Sequence, residues 1–183
     1  MYLSVDIDFW NCLPLKDAIE TLKRIQKSGK LRTIVDNHKS LITSINKARQ
    51  STVVNVDTHS DIKSEDDITI LKDVNPKHVI NCGDWANFIR RELRKHYIWM
   101  YPENHGVRCD THGNVYKYPE TSGWDLVQKK PVKRFPQELI DEATDIGIAV
   151  SYYYLSDVLY QDVRNVLKEV FGKAVRETSK DCW

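Results

Sequence analysis

The chain reads as an α/β protein, a three-layer α/β/α arrangement with a mainly parallel sheet, formed as one domain over residues 1–183. Three observations predict this. Short apolar runs alternate with stretches of helical periodicity, the pattern of parallel strands joined by crossover helices. The run Thr52-Val53-Val54-Asn55-Val56 is β-branched and nearly continuous, as in a strand covered on both faces. Three early apolar runs end in acids and histidines, and the carboxyl edge of such a sheet is where ligands bind.

The elements follow in order. Residues 2–7 form a first strand that ends in acids. Pro14 opens a helix with Leu15, Ile19, Leu22 and Ile25 on one face, and Gly29 closes it. Residues 31–35 form a second strand, leading to Asp36-Asn37-His38. Ser40 caps a helix carrying Leu41, Ile45 and Ala48. The third strand, 52–56, leads to Asp57-Thr58-His59-Ser60-Asp61. A strand over 77–81, a helix over 84–95 and a strand over 97–101 stopped by Pro102 continue the alternation. Residues 102–135 read as loops with a hairpin, 137–144 as a short helix, and 146–152 as a last strand. Ser156 caps a final helix with Leu159, Val163, Val166 and Val170 on one face.

Composition narrows the function classes. The net charge is +1, which gives no global reason to expect nucleic acid or a membrane surface as partner. The 41% hydrophobic and 29% charged fractions are those of a soluble globular protein. No apolar run is long enough for a membrane span, and the first residues lack the basic stretch of a secretory signal. Four cysteines without a C-x-x-C pair fit reduced thiols, so a cytoplasmic location is expected.

The chemistry lies in six side chains. On an extended segment, alternate residues share a face. Asp57, His59 and Asp61 are therefore expected to point one way, as are Asp6 and Asp8, with His38 following its own strand. Four carboxylates and two imidazoles without a thiolate suit Mn²⁺, Fe²⁺, Co²⁺ or Zn²⁺ in a catalytic site. Two divalent ions would neutralise the four aspartates, which would otherwise repel and take up protons. Such a pair activates water near neutral pH.

At these residues the chain resembles the arginase/deacetylase superfamily. Val-Asp57-Thr-His59-Ser-Asp61 resembles the ureohydrolase Asp-Ala-His-x-Asp motif, and Ser4-Val-Asp6-Ile-Asp8 its Ser-x-Asp-x-Asp motif. Asp36-Asn-His38-Lys-Ser40 resembles the Gly-Gly-Asp-His-Ser segment without its glycines. The resemblance implies two Mn²⁺ ions. One would be held by Asp6, His38, Asp57 and Asp61, the other by Asp6, Asp8, Asp57 and His59. The Asp-x-Asp motif comes first here and last in ordinary ureohydrolases, as in a circular permutation. That order, the short chain, Cys82-Gly-Asp-Trp85 and Ile98-Trp99-Met-Tyr-Pro102 look like a small branch that includes peptide arginases of ribosomal peptide natural-product pathways. The implied substrate is an arginine-containing precursor peptide, converted to its ornithine form with release of urea. The short chain is expected to leave the site open enough for a peptide. The alternative is a deacetylase-type amidohydrolase acting on an acylated amine.

Other residues are candidates for supporting roles. Guanidinium recognition needs a carboxylate in bidentate reach, with Glu103 and Asp84 as candidates beside Asp157. Asp61 is expected to orient the nucleophile. His105 is the first choice to deliver a proton, ahead of His78, His96 and His112. Cys109-Asp110-Thr111-His112 repeats the Asp-Thr-His string in a loop and reads as a decoy. Alternate members of Tyr152-Tyr153-Tyr154 are expected to pack in the core, with one lining the site. The basic run 129–134 reads as a surface loop able to help dock an acidic leader segment. Trp85 and Trp99 read as core.

Overall fold

The computed structural model describes residues 1–62, 85–90, 93, 96–103, 108–109, 115–116, 128–155 and 157–172. Among the described residues the main chain builds eight strands: β1 (Tyr2–Asp6), β2 (Leu31–Val35), β3 (Val53–Val56), β4 (Tyr97–Pro102), β5 (Arg108–Cys109), β6 (Val115–Tyr116), β7 (Gln128–Val132) and β8 (Asp145–Ala149). Helices α1 (Leu15–Ser28), α2 (Ile42–Lys47), α3 (Glu138–Glu142) and α4 (Asp157–Phe171) connect or follow them. Six strands form one sheet in the order β2-β8-β1-β3-β4-β7, and every pairing in it is parallel. The expected α/β class with a parallel sheet is what the chain adopts.

The alternation of side chains along each strand separates two apolar layers. Leu3, Val5, Val54, Val56, Ile146 and Ile148 face one side, where Leu22 and Ile25 of α1, Ile140 of α3 and Val163 of α4 pack on them. Tyr2, Val53 and Tyr97 face the other, with Leu41, Ile45 and Trp85. Helix α1 runs as its periodicity requires: Pro14 precedes it and Gly29, at φ 68, closes it in the left-handed region that glycine adopts without strain.

Strand order also locates a site. The chain leaves β1 toward β2 on one side of the sheet and leaves β3 toward β4 on the other. The carboxyl ends of the neighbours β1 and β3 therefore frame a topological switch point, the crevice where α/β sheets bind ligands. Asp6 ends β1 and Asp57 directly follows β3, beside the register pair Val5–Val56.

Several local expectations are corrected. Asp8 is not on an extended segment but in a 3-10 turn over Ile7–Cys12, because the Asp6 carboxylate accepts the Asp8 N–H and tightens the chain. His38 lies in a second 3-10 turn, His38–Leu41, capped by Asn37, whose side chain accepts the Ser40 N–H; Ser40 is inside the turn rather than its cap. Within the expected 84–95 helix, Trp85–Phe88 form a 3-10 turn, while Leu93 is helical. The last strand ends at Ala149, and Tyr152–Tyr154 form a 3-10 turn after the left-handed Ser151. Residues 102–135 do contain a short antiparallel pair, β5 with β6, so Cys109 lies in a strand. They also contain β7, a sheet strand that reads as loop because it is an edge. Lys130 and Pro131 are exposed there, and such residues are compatible with an edge because only one side of it is paired. The 77–81 strand and the Ser156 cap lie outside the described residues. Among the described residues no helix is long and apolar enough to cross a membrane.

Candidate metal centre

The ligand-type side chains reach the switch point from strand ends, turns and the segment after β3. Asp6 points to the Tyr2 face of β1, two residues along from Ser4. Asp57 extends the same face of β3, two residues after Asn55, and its N–H continues the ladder to the Met100 carbonyl at 3.0 Å. The turn after β1 brings in Asp8, the turn after β2 brings in His38, and the segment after β3 brings in His59 and Asp61. Asp61 takes φ 53, a left-handed conformation a non-glycine residue holds only at a cost of roughly 1–3 kcal/mol.

Two half-sites result. His38 Nδ1 lies 3.0 Å from Asp6 Oδ2, 3.0 Å from Asp57 Oδ2 and 3.1 Å from Asp61 Oδ2. His59 Nδ1 lies 3.0 Å from Asp8 Oδ2 and 3.7 Å from Asp57 Oδ1. Asp6, His38 and Asp57 can hold one ion, and Asp8, Asp57 and His59 another. Asp57 belongs to both, offering one oxygen to each side. All six expected ligands therefore meet, five of them buried, with only the His59 side chain 20% exposed.

The donor chemistry fits a cation. A single Nδ1 proton cannot serve three carboxylates, and His38 Nδ1 is a buried polar atom that makes no hydrogen bond. Its other nitrogen, Nε2, is 2.9 Å from Ser4 Oγ, which fixes the ring and aims Nδ1 into the acids. The acids are held likewise. Asp6 accepts the Asp8 N–H at 2.9 Å and the Ser151 hydroxyl. Asp57 accepts the His59 N–H at 2.8 Å and the Asn55 amide at 3.2 Å. Asp61 accepts the indole N–H of Trp85, whose ring lies 4.8 Å from that of His38. Thr58 hydrogen-bonds Asp8 through its N–H and its hydroxyl.

Without an ion the cluster shares protons instead. Burial pushes the Asp8 carboxyl up, and Asp6 and Asp57 add to this, to about 7. Burial and the Asp57 charge push Asp61 up as well. Burial opposes charge on His38, but Asp6 and Asp57 outweigh it and hold the ring well above the usual imidazole range. His59 is raised in the same way, against burial, by Asp8 and Asp57. Asp57 is buried too, yet the two histidines hold it well below the usual carboxylate range.

The supporting candidates fall in different places. Glu103 lies at the carboxyl end of β4, on the site's edge of the sheet, exposed and 4.0 Å from Lys133. His96 precedes β4 and so sits at the opposite edge, which removes it as a proton shuttle. Asp84, His78, His105 and His112 lie outside the described residues. Tyr152 packs against the core, and Tyr154 is exposed with its ring centroid 5.4 Å from that of His59. Trp85 is core as expected, but its N–H also serves the site. Half-buried Trp99 donates to the Asp57 carbonyl at 3.0 Å. Ser4 and Asn55 had a legible signal: each is a polar residue inside an apolar strand, two before an aspartate. Ser151 and Trp85 had none, being far from the motifs in sequence. No protein-family model, curated protein or solved structure matches this chain.

Proposed function

We propose that the chain is a binuclear hydrolase of the arginase type that converts arginine within a ribosomally made precursor peptide to ornithine and releases urea, with two Mn²⁺ ions as cofactor, in the cytoplasm. The observation that carries it is Asp57, one buried carboxylate facing a histidine from each half-site. A one-ion amidohydrolase of deacetylase type would need only the Asp8, Asp57 and His59 cluster, and the second cluster around His38 favours two ions.

Asp6, His38, Asp57 and Asp61 would hold one ion, and Asp8, Asp57 and His59 the other. When bound, the ions supply a nucleophile from water at neutral pH and stabilise the charge that develops on addition. The chain's own groups hold and orient. Asp61, fixed by the Trp85 indole, orients the nucleophile. Glu103 or Asp84 receives the guanidinium. The water oxygen bonds to the guanidinium carbon and gives up its two protons, the bond from that carbon to Nε breaks, and Nε gains two protons, the first delivered by His105 as the proposed donor. Guanidinium plus water thus gives a primary ammonium and urea.

The test is mass spectrometry of an arginine-containing peptide incubated with the protein and Mn²⁺. The expected product has lost one CH₂N₂ unit per reacted arginine, matched by colorimetric urea. An unchanged peptide with metal-loaded protein overturns the assignment, and acetate from an acetyl-lysine peptide in its place selects the deacetylase reaction.

A further inference from the structure

Among the described residues, the centre is exposed on one flank. Five of the six ligands are buried, and His59 alone has an exposed flank. Among the described residues, the open flank of the centre is therefore the one at His59. Tyr154 stands there, its ring centroid 5.4 Å from that of His59. At 37% exposure it is the one exposed large hydrophobic side chain among the described residues.

Its placement is built into the site. The Asn11 amide, from the turn that carries Asp8, donates to the Tyr154 carbonyl at 2.6 Å. The Tyr154 N–H donates to the Ser151 carbonyl at 2.9 Å. Ser151 is held buried in the left-handed region at φ 48, and its hydroxyl donates to Asp6. One turn thus ties an interior ligand to an aromatic ring beside His59.

We infer that Tyr154 is a specificity-determining residue whose ring face receives the cationic end of the substrate side chain beside His59. This rests on the guanidinium-hydrolase reading. Two divalent ions offset the charge of the four aspartates, so the ligands themselves leave little net charge to draw a cation, and a carboxylate such as Glu103 or Asp84 engages the edge of a guanidinium rather than its face. A tyrosine face attracts a guanidinium or ammonium through its π-electrons without adding charge beside the ions.

The test uses the Mn²⁺-loaded protein as wild type, Y154A and Y154F. Calorimetric titration with capped ornithine amide, a cation that cannot be hydrolysed, is set against capped norvaline amide, the same stem without charge. Urea release from capped arginine amide gives KM and kcat. Y154A is expected to weaken ornithine binding and raise KM about threefold to thirtyfold, with kcat, norvaline binding and Mn²⁺ content little changed. Y154F, which keeps the ring, restores the cation preference. Equal ornithine and arginine affinity in Y154A and wild type overturns the role of Tyr154 while hydrolysis stands. A cation preference that needs Tyr154 in a protein that releases no urea upholds the subsite and overturns the hydrolase reading. Loss of the preference in both variants assigns it to the hydroxyl and overturns the ring.

Discussion

Asp57 is where the two clusters of acids and histidines meet, and its neighbours explain how it is aimed. Its two oxygens face opposite histidines while the His59 N–H and the Asn55 amide hold the carboxylate in place. Ser4 does the corresponding work for His38, holding Nε2 so that Nδ1 faces three carboxylates. Outer partners of metal ligands typically contribute about 10- to 100-fold in affinity. Ser4→Ala is therefore expected to weaken Mn²⁺ binding by about that factor in the His38 half-site and to leave the His59 half-site near wild type. Titration followed by electron paramagnetic resonance separates the two, and equal weakening of both would contradict the division of labour. At this scale the sequence was informative where ligands share a segment. Asp57, His59 and Asp61 announce themselves by spacing. Trp85 and Ser151, which hold Asp61 and Asp6, do not, because tertiary folding alone brings them in.

Elements were legible to the extent that burial imposes a pattern. Strands β1, β3 and β8 are apolar because both faces are covered, and α1 is amphipathic because one face is. Strand β7 escaped notice because an edge needs no such pattern and carries lysines and Pro131 instead. The 3-10 turns at Asp8 and His38 escaped for another reason: side-chain caps from Asp6 and Asn37 decide them, not periodicity. Close packing between elements makes its own prediction. A Cβ at Gly147 of β8 would collide with the Tyr2 hydroxyl, which is engaged with Ser44, and lie 2.9 Å from a Leu41 methyl. Gly147→Ala is expected to cost about 1–3 kcal/mol, read as a lower denaturation midpoint at unchanged slope. A wild-type midpoint would mean that the layer over Tyr2 yields freely.

For the molecule as a whole, burying four acids and two histidines couples folding to protons and metal. Asp8 titrates at about 7 when folded against 3.8 in the open chain, so the metal-free native state binds a proton that the unfolded chain releases. Stability of that form falls as pH rises from about 4 toward 7. His38 and His59 act in the same direction: with folded values raised, the stability they confer is complete below the usual imidazole range and is lost as pH rises through their folded values. Asp57, held low, supplies stability that is in place above the usual carboxylate range and fades only at lower pH. Metal binding displaces those protons and so gains with pH. The melting temperature of chelator-treated protein is expected to fall between pH 5 and pH 8, and the increase on adding Mn²⁺ to be larger at pH 8. A metal-independent melting curve would remove the cation from the interior. The most direct measurement is the metal content of dialysed wild type, Asp57→Asn, His38→Ala and His59→Ala, each confirmed folded by circular dichroism. Two half-sites sharing one carboxylate predict two ions in wild type, one in each histidine variant and neither held firmly when Asp57 is replaced. Wild type without bound metal, or Asp57→Asn retaining both ions, would contradict the shared centre.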